Sequence, residues 1–321
     1  MHNKKPVKIE IASVPKAPEI ETIKKPYLTV RSDRYENCPA PYVLSLPFMW
    51  LITFYVMLKK QVYKMLGLGQ PKINSIFFDG LGKESRKVKE YATTWRAMEI
   101  VYNHPYPPKR TLGGLLDDFY WFGLNCQGLR NRLKLIKDEL SKAVSKVDKG
   151  GEIRLVSLAC GSAESAIEII AEAKAKNKII RAKFVDIDGD AIERAKVFAK
   201  HYGVEDQIEM YKGSIYDMFD LCREFKPQIV EMIGFLDYIS QEEAISVVSK
   251  IRDILEPNGF LITCNIHPNI EQHFLKWVIN WPMIYRRPED LGDVAKKAGF
   301  TEYRLIYEPL KVHGLLVAKK S

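Results

Sequence analysis

Residues 153–195 read IRLVSLACGSAESAIEIIAEAKAKNKIIRAKFVDIDGDAIERA, and the order of patterns within them decides the fold. Ile153 to Leu158 is an apolar run stopped by a turn of small residues. Ala163 to Lys176 then carries helical spacing, Lys183 to Ile187 is a second apolar run, and Ala191 to His201 is again helical. Strand, helix, strand, helix at this spacing predicts parallel strands joined by crossover helices.

Downstream the pattern continues. Ile208 to Lys212 and Gln228 to Ile233 are strands, Gln241 to Leu255 is a helix, and Glu256-Pro257-Asn258-Gly259 is a turn before the strand Phe260 to Cys264. Glu289 to Ala298 is helical. Tyr303 to Tyr307 and Gly314 to Val317 lie too close together for a crossover helix, so they predict an antiparallel hairpin. The fold class is α/β: a Rossmann-like seven-stranded, mostly parallel sheet with an antiparallel C-terminal hairpin.

Ligands of such sheets bind outside the carboxyl ends of the strands, where strand order reverses. Four strand ends therefore supply the candidate cofactor residues. The first is the turn Ala159-Cys160-Gly161-Ser162 with Glu164, where small side chains let backbone N–H groups and a helix N-terminus approach a ligand. An ordinary strand-to-helix turn reads the same way. The second is Asp186, 25 residues after Gly161, which can accept from both hydroxyls of a ribose, with Ile187 covering an adenine face. Gly189-Asp190 follows, so a turn or cap acid is the alternative. The third is Gly213-Ser214-Ile215, placing Ser214 against an adenine edge, and the fourth is Glu231-Met232-Ile233-Gly234.

These elements resemble the class I S-adenosylmethionine-dependent methyltransferases over roughly residues 130–321, including the reversed last strand. "FVDIDGDAIERA" (Phe184–Ala195) and "LEPNGFLI" (Leu255–Ile262) fit that family's second motif and fifth strand. Its first motif usually reads acidic-x-Gly-x-Gly-x-Gly. Here the matching positions are Ser157, Ala159, Gly161 and Ala163, so one glycine is kept. "GLRNRLKLIKDEL", "ACGSAES", "GFLDYIS" and "WPMIYRRPEDL" are together similar to a bacterial group of methyltransferases of undefined substrate. Some of its relatives are linked to methyl esters of hydroxylated fatty acids. The resemblance implies S-adenosyl-L-methionine as cofactor and a small, acidic or lipid-like methyl acceptor. Two other readings stay open: aminocarboxypropyl transfer from the same donor, and a non-catalytic membrane-surface protein.

On the acceptor side, Asp237 and Tyr238 follow the fourth strand, and Asn265, His267 and His273 follow the fifth. His267 suits a general base, or a turn element beside Pro268; Asp237 suits a helix entry equally well. Trp281, Tyr285 and Arg286 suit an anionic head on an apolar body, or a packed loop. Arg130 and Arg132 precede the sheet and face either the cofactor carboxylate or solvent. A carboxylate acceptor needs no base, so the lack of an acid–base pair is uninformative.

Residues 129–321 thus form the cofactor domain. Residues 1–40 read as a basic, Pro-punctuated leader, and 41–128 as a helical cap region, with helices over 42–68, 85–103 and, leading into the domain, 117–148. The stretch 42–58 is free of charge and ends at Lys59-Lys60; its 17 residues would span about 25 Å as a helix, short of a bilayer core of about 30 Å. Its aromatics suit peripheral membrane contact through 42–60, or burial. The net charge is +9, with eleven Lys/Arg against five Asp/Glu in residues 1–70, which favours an anionic partner. No aromatic-basic interleaving supports nucleic acid. The five cysteines lack metal spacing, so a structural metal is not expected and a cytoplasmic location is.

Overall fold

The computed structural model describes residues 34–37, 40–71, 73–103 and 111–321. Most of the leader, Cys38 and the break at His104–Pro108 lie outside the described residues.

The apolar runs become seven strands: β1 (Ile153–Leu158), β2 (Ile180–Asp186), β3 (Ile208–Lys212), β4 (Ile229–Met232), β5 (Phe260–Ile266), β6 (Glu302–Tyr307) and β7 (His313–Lys319). They form one sheet in the order β3-β2-β1-β4-β5-β7-β6. The first five are parallel, while β7 runs antiparallel to both β5 and β6. The hairpin loop is held by Glu308, whose carboxylate accepts from the backbone N–H groups of Leu310, Val312 and His313. Chain order reverses beside β1, which opens a crevice between the ends of β1 and β4.

The helices are α1 (Ala40–Met65), α2 (Lys83–Glu90), α3 (Trp95–Tyr102), α4 (Leu112–Trp121), α5 (Leu124–Val147), α6 (Glu164–Ala175), α7 (Gly189–His201), α8 (Ile215–Phe225), α9 (Gln241–Ile254), α10 (Gln272–Phe274, continued by a π turn over Leu275–Ile279) and α11 (Pro288–Lys297). Side chains of α5, α6 and α7 bury one sheet face, with Leu140, Ile167, Phe184 and Ile262 at its centre. Those of α8, α9 and α11 bury the other, around Met218, Val247, Leu261 and Val294. A third core joins α1–α4 to the segment after β5, through Met49, Phe78, Trp121, Phe274 and Trp281. Each fully buried aliphatic or aromatic side chain contributes about 1.5–3 kcal/mol.

Two predicted helices are broken. The stretch 117–148 divides at Phe122–Gly123 into α4 and α5. A Cβ on Gly123 would stand 2.7 Å from the Tyr120 carbonyl oxygen. The remote Glu271 carboxylate then caps the new helix, accepting from Leu124 N (2.8 Å), Asn125 N (2.7 Å) and the Tyr42 hydroxyl. The stretch 85–103 divides at Thr93, whose φ is +70°. Residues 215–225, given no element from the sequence, form α8.

Helix α1 turns Tyr42, Met49, Ile52 and Val56 into the third core. Its other side exposes Leu44, Phe48, Leu51, Phe54, Tyr55 and Leu58. Tyr42–Met65 has the length and mean hydropathy (1.5) of a membrane span, and only 28% of its apolar window is buried.

Candidate active site

The turn after β1 is built by left-handed backbone. Ala159, Gly161 and Ala163 have φ of +50°, +55° and +54°, so two alanines adopt the left-handed conformation that favours glycine. Such a conformation costs a non-glycine residue about 1–2 kcal/mol. Only Gly161 is also sterically required: a Cβ there would approach the Trp95 side chain to 3.0 Å. Cys160 N donates to the Val185 carbonyl (3.0 Å), which prolongs the β1–β2 ladder into the turn. The turn then feeds α6, whose N-cap, Ala163, offers no side-chain cap.

Asp186, at the tip of β2, binds this turn directly. One carboxylate oxygen accepts from Gly161 N (2.8 Å) and the other from Asp188 N (2.9 Å). Burial pushes its pKa up, against these backbone hydrogen bonds. Ile187 beside it is 77% exposed, an apolar face with no protein cover.

Glu231 comes from the tip of β4, in register with Ser157 of β1. Its carboxylate accepts from the Ser157 hydroxyl (2.9 Å) and faces that of Ser165 (3.5 Å). Complete burial lifts its pKa to about 7. The acid expected at the first position of the glycine motif is thus a serine, and a carboxylate reaches that place from the neighbouring strand.

These residues line one cavity of about 730 Å³, in the range that encloses small-molecule ligands. Ala159, Cys160, Gly161, Ser162, Glu164, Asp186, Ile187, Glu231, Ile233 and Gly234 all face it. Ser214 and Ile215 do not: the Ser214 hydroxyl accepts from Tyr216 N as the N-cap of α8, and Ile215 is core. A nucleoside fits this arrangement, because the turn presents only small side chains to the cavity and the exposed apolar face of Ile187 lies beside the β2 acid.

The cavity is also lined by Asp237, Tyr238, Pro282, Met283 and Ile284. Asp237 is buried and accepts from Ile266 N (2.7 Å); burial raises its pKa, partly offset by Arg132 and Arg286. The Tyr238 hydroxyl accepts from Trp281 Nε1 (2.8 Å), and burial raises its pKa too. Trp281 is therefore a buried brace behind the cavity wall. Arg286 donates to the carbonyls of Leu236 (2.6 Å) and Ile239 (2.7 Å), to Asn265 Oδ1 (2.6 Å) and to Gln241 Oε1 (2.7 Å). It ties the loop after β4 to β5 instead of facing a ligand. Tyr285 and His267 lie off the cavity; the His267 ring packs edge-on against Tyr307 at 5.6 Å, and His273 is exposed.

Sequence reasoning passed over the cap side of the cavity. Trp95, Met98 and Tyr102 of α3 line it. Trp95 Nε1 donates to Asp188 (2.8 Å), and Glu99 of the same helix accepts a forked pair from Arg194 Nε of α7 (2.9 and 3.0 Å). Arg132 also lines the cavity and is 1% exposed, whereas Arg130 pairs with Glu36 at 2.6 Å. The sequence offers Arg132 to the cofactor carboxylate or to solvent, and its position favours the inner side. It stands three residues after Leu129 and four before Ile136, a cation on the apolar stripe. Among the described residues no cluster of side chains suits a metal.

Residues 92–320 match the family model described as "Putative methyltransferase". No curated protein matches the sequence significantly. Among solved structures, a possible exported protein from Bordetella parapertussis superposes with a TM-score of 0.61 at 14% identity, over 87% of this chain and 96% of that one, which shows a shared fold. The magnesium protoporphyrin IX methyltransferase of Synechocystis PCC 6803 with bound S-adenosylhomocysteine gives 0.49 at 14% identity, over 77% and 98%. The S-adenosylmethionine-dependent methyltransferase SibL gives 0.48 at 15%, over 88% and 77%.

Proposed function

The chain belongs to the family of putative methyltransferases, and from that premise we propose that it transfers the methyl group of S-adenosyl-L-methionine to a small, acidic or lipophilic molecule held in the cavity. The observation that carries this is the joining of the β1 turn to Asp186 at the mouth of the switch-point crevice. The donor, when bound, supplies an electrophilic methyl on a sulfonium. The turn Ala159–Ser162 and Glu231 hold its amino-acid end, Asp186 its ribose, and Ile187 its base. Residues 41–128 act as a cap: α3 closes over the donor side through Trp95, and the Trp281-braced wall of Tyr238 and Met283 shapes the acceptor side. The residues chiefly exclude water and align the reactants, a contribution worth orders of magnitude in rate. Asp237, with its raised pKa, is the carboxylate placed to take a proton if the acceptor is an alcohol.

Calorimetric titration with S-adenosylmethionine tests the assignment, with product analysis beside it. Heat of binding and formation of S-adenosylhomocysteine are expected. Absence of binding refutes the enzyme reading, and methylthioadenosine as product converts it to aminocarboxypropyl transfer.

A membrane surface is the partner that α1 favours. Its exposed face combines aliphatic and aromatic side chains, the helix holds no acidic residue, and Lys59, Lys60 and Lys64 lie at its C-terminal end. The free cysteines Cys126, Cys160, Cys222 and Cys264 suit the reducing cytoplasmic leaflet. In flotation with anionic liposomes, wild type is expected to rise with the vesicles and the variant Leu51→Asp/Phe54→Asp to stay below. Equal flotation of the two would remove α1 from the contact.

A further inference from the structure

Arg132 is a buried cation whose surroundings are not those of a structural ion pair. It sits on α5, lines the cavity and is 1% exposed. Its guanidinium donates to the Tyr102 hydroxyl (2.8 Å), to Met98 Sδ (3.4 Å) and to Cys264 Sγ (3.8 Å). Two of these acceptors are sulfurs, which are weak partners. Nε has no partner, and among the described residues no carboxylate pairs with the group. The field of Arg132 partly offsets the rise that burial causes in the Asp237 pKa, and that of Asp237 favours the Arg132 charge, but the two make no ion pair. Among the described residues the other buried arginines have oxygen partners: Arg130 pairs with Glu36, Arg194 with Glu99, and Arg286 donates to four oxygens. A buried guanidinium with no directly hydrogen-bonded carboxylate keeps much of its desolvation cost, and an anion that paired with it would recover part of that cost.

We propose that Arg132 is a carboxylate-binding residue of the cavity, taking an organic carboxylate into the space between α3, the tip of β4 and β5. The position fits. Nη1 lies 4.0 Å from where a Cβ of Gly234 would stand, so the group reaches over the end of β4. Tyr102 and Met98 of α3 hold Nη2 and Cys264 holds Nη1, the two sulfurs being partners that a carboxylate would displace. An arginine fork recognises a carboxylate through two parallel hydrogen bonds, which a lysine cannot reproduce. Two molecules bring such a group here: the donor, through its amino-acid end, and an acidic acceptor, whose carboxylate is then either gripped or itself methylated. This inference rests on the methyl-donor reading for the first source only.

The test uses the full chain as wild type, Arg132→Met and Arg132→Lys, titrated calorimetrically. The probes are S-adenosylhomocysteine, methylthioadenosine (which lacks the amino-acid end), and decanoate, alone and with S-adenosylhomocysteine at saturation. Arg132→Met is expected to lose at least about tenfold in affinity for one carboxylate-bearing probe, with methylthioadenosine changed less than about twofold. The probe that responds names the source, and Arg132→Lys should recover only part of the loss. The proposal is overturned if methylthioadenosine weakens as much as S-adenosylhomocysteine, or if neither carboxylate responds. Should the methionine variant fail to fold, the lysine variant is read by the same two criteria. If wild type binds neither nucleoside, the donor reading falls while the anchor is still judged: heat from decanoate that depends on Arg132 upholds it, and its absence overturns it.

Discussion

Glu231→Gln is expected to stabilise the protein by about 3 kcal/mol at pH 8 and to leave it nearly unchanged near pH 4. The carboxyl titrates at 4.5 in its ordinary setting and near 7 in the fold, because burial opposes its charge more than the Ser157 and Ser165 hydroxyls favour it. Between those values the native state holds a proton that the unfolded chain has released. Wild-type stability therefore falls as pH rises from about 4.5 to 7 and is flat, for this group, on either side. At about 1.4 kcal/mol per pKa unit the whole effect is about 3 kcal/mol. Glutamine keeps the acceptor for Ser157 and carries no charge, so it loses the penalty. Urea denaturation of both proteins at several pH values checks this, and parallel pH profiles would mean that Glu231 is not protonated in the native state.

The second large effect is expected at Asp186. Asp186→Ala strips the acceptor from Gly161 N and Asp188 N together. Hydrogen bonds to a charged group are each worth about 1.5–3 kcal/mol. The turn would keep its left-handed residues but lose the tie that fixes them against β2. Affinity for S-adenosylmethionine should fall about 100-fold or more, with Asp186→Asn intermediate because its amide oxygen still accepts one bond. Both variants are compared by calorimetry. Unchanged affinity in the alanine variant would mean that the turn is rigid without the acid and that the donor does not touch it.

Most of the sheet was legible because its signals are local. Apolar runs bounded by turns mark β1 and β5, and the short spacing between Tyr307 and Gly314 forces the reversed pair. What escaped is mostly long-range. The break at Gly123 depends on Glu271, almost 150 residues away, which supplies the cap that lets α5 start afresh. Trp95 joins the site through Asp188, and its own neighbourhood in sequence carries no sign of that. Ser214 stands outside the cavity lining for a local reason. Ser214 and Asp217 form a capping box, and Ile215, Met218, Phe219 and Cys222 recur at helical spacing behind it. The serine is occupied in starting α8 and is turned from the cavity. Arg286 resembled a ligand-binding cation because its chemistry suits one, but the carbonyls around it were invisible until the loop after β4 was folded.

The Ser157–Glu231 pairing has a bearing on how such sites diversify. Moving the acid from one strand to its neighbour conserves the charge at a point in space while erasing it from the linear pattern. An intermediate with acids at both positions would crowd two anions in a space without water, and one with neither would leave the pocket without its charge. The exchange thus passes most easily through coordinated changes at positions 74 residues apart. A search for the glycine motif along the chain overlooks an acid supplied in this way, whereas a search in three dimensions finds it.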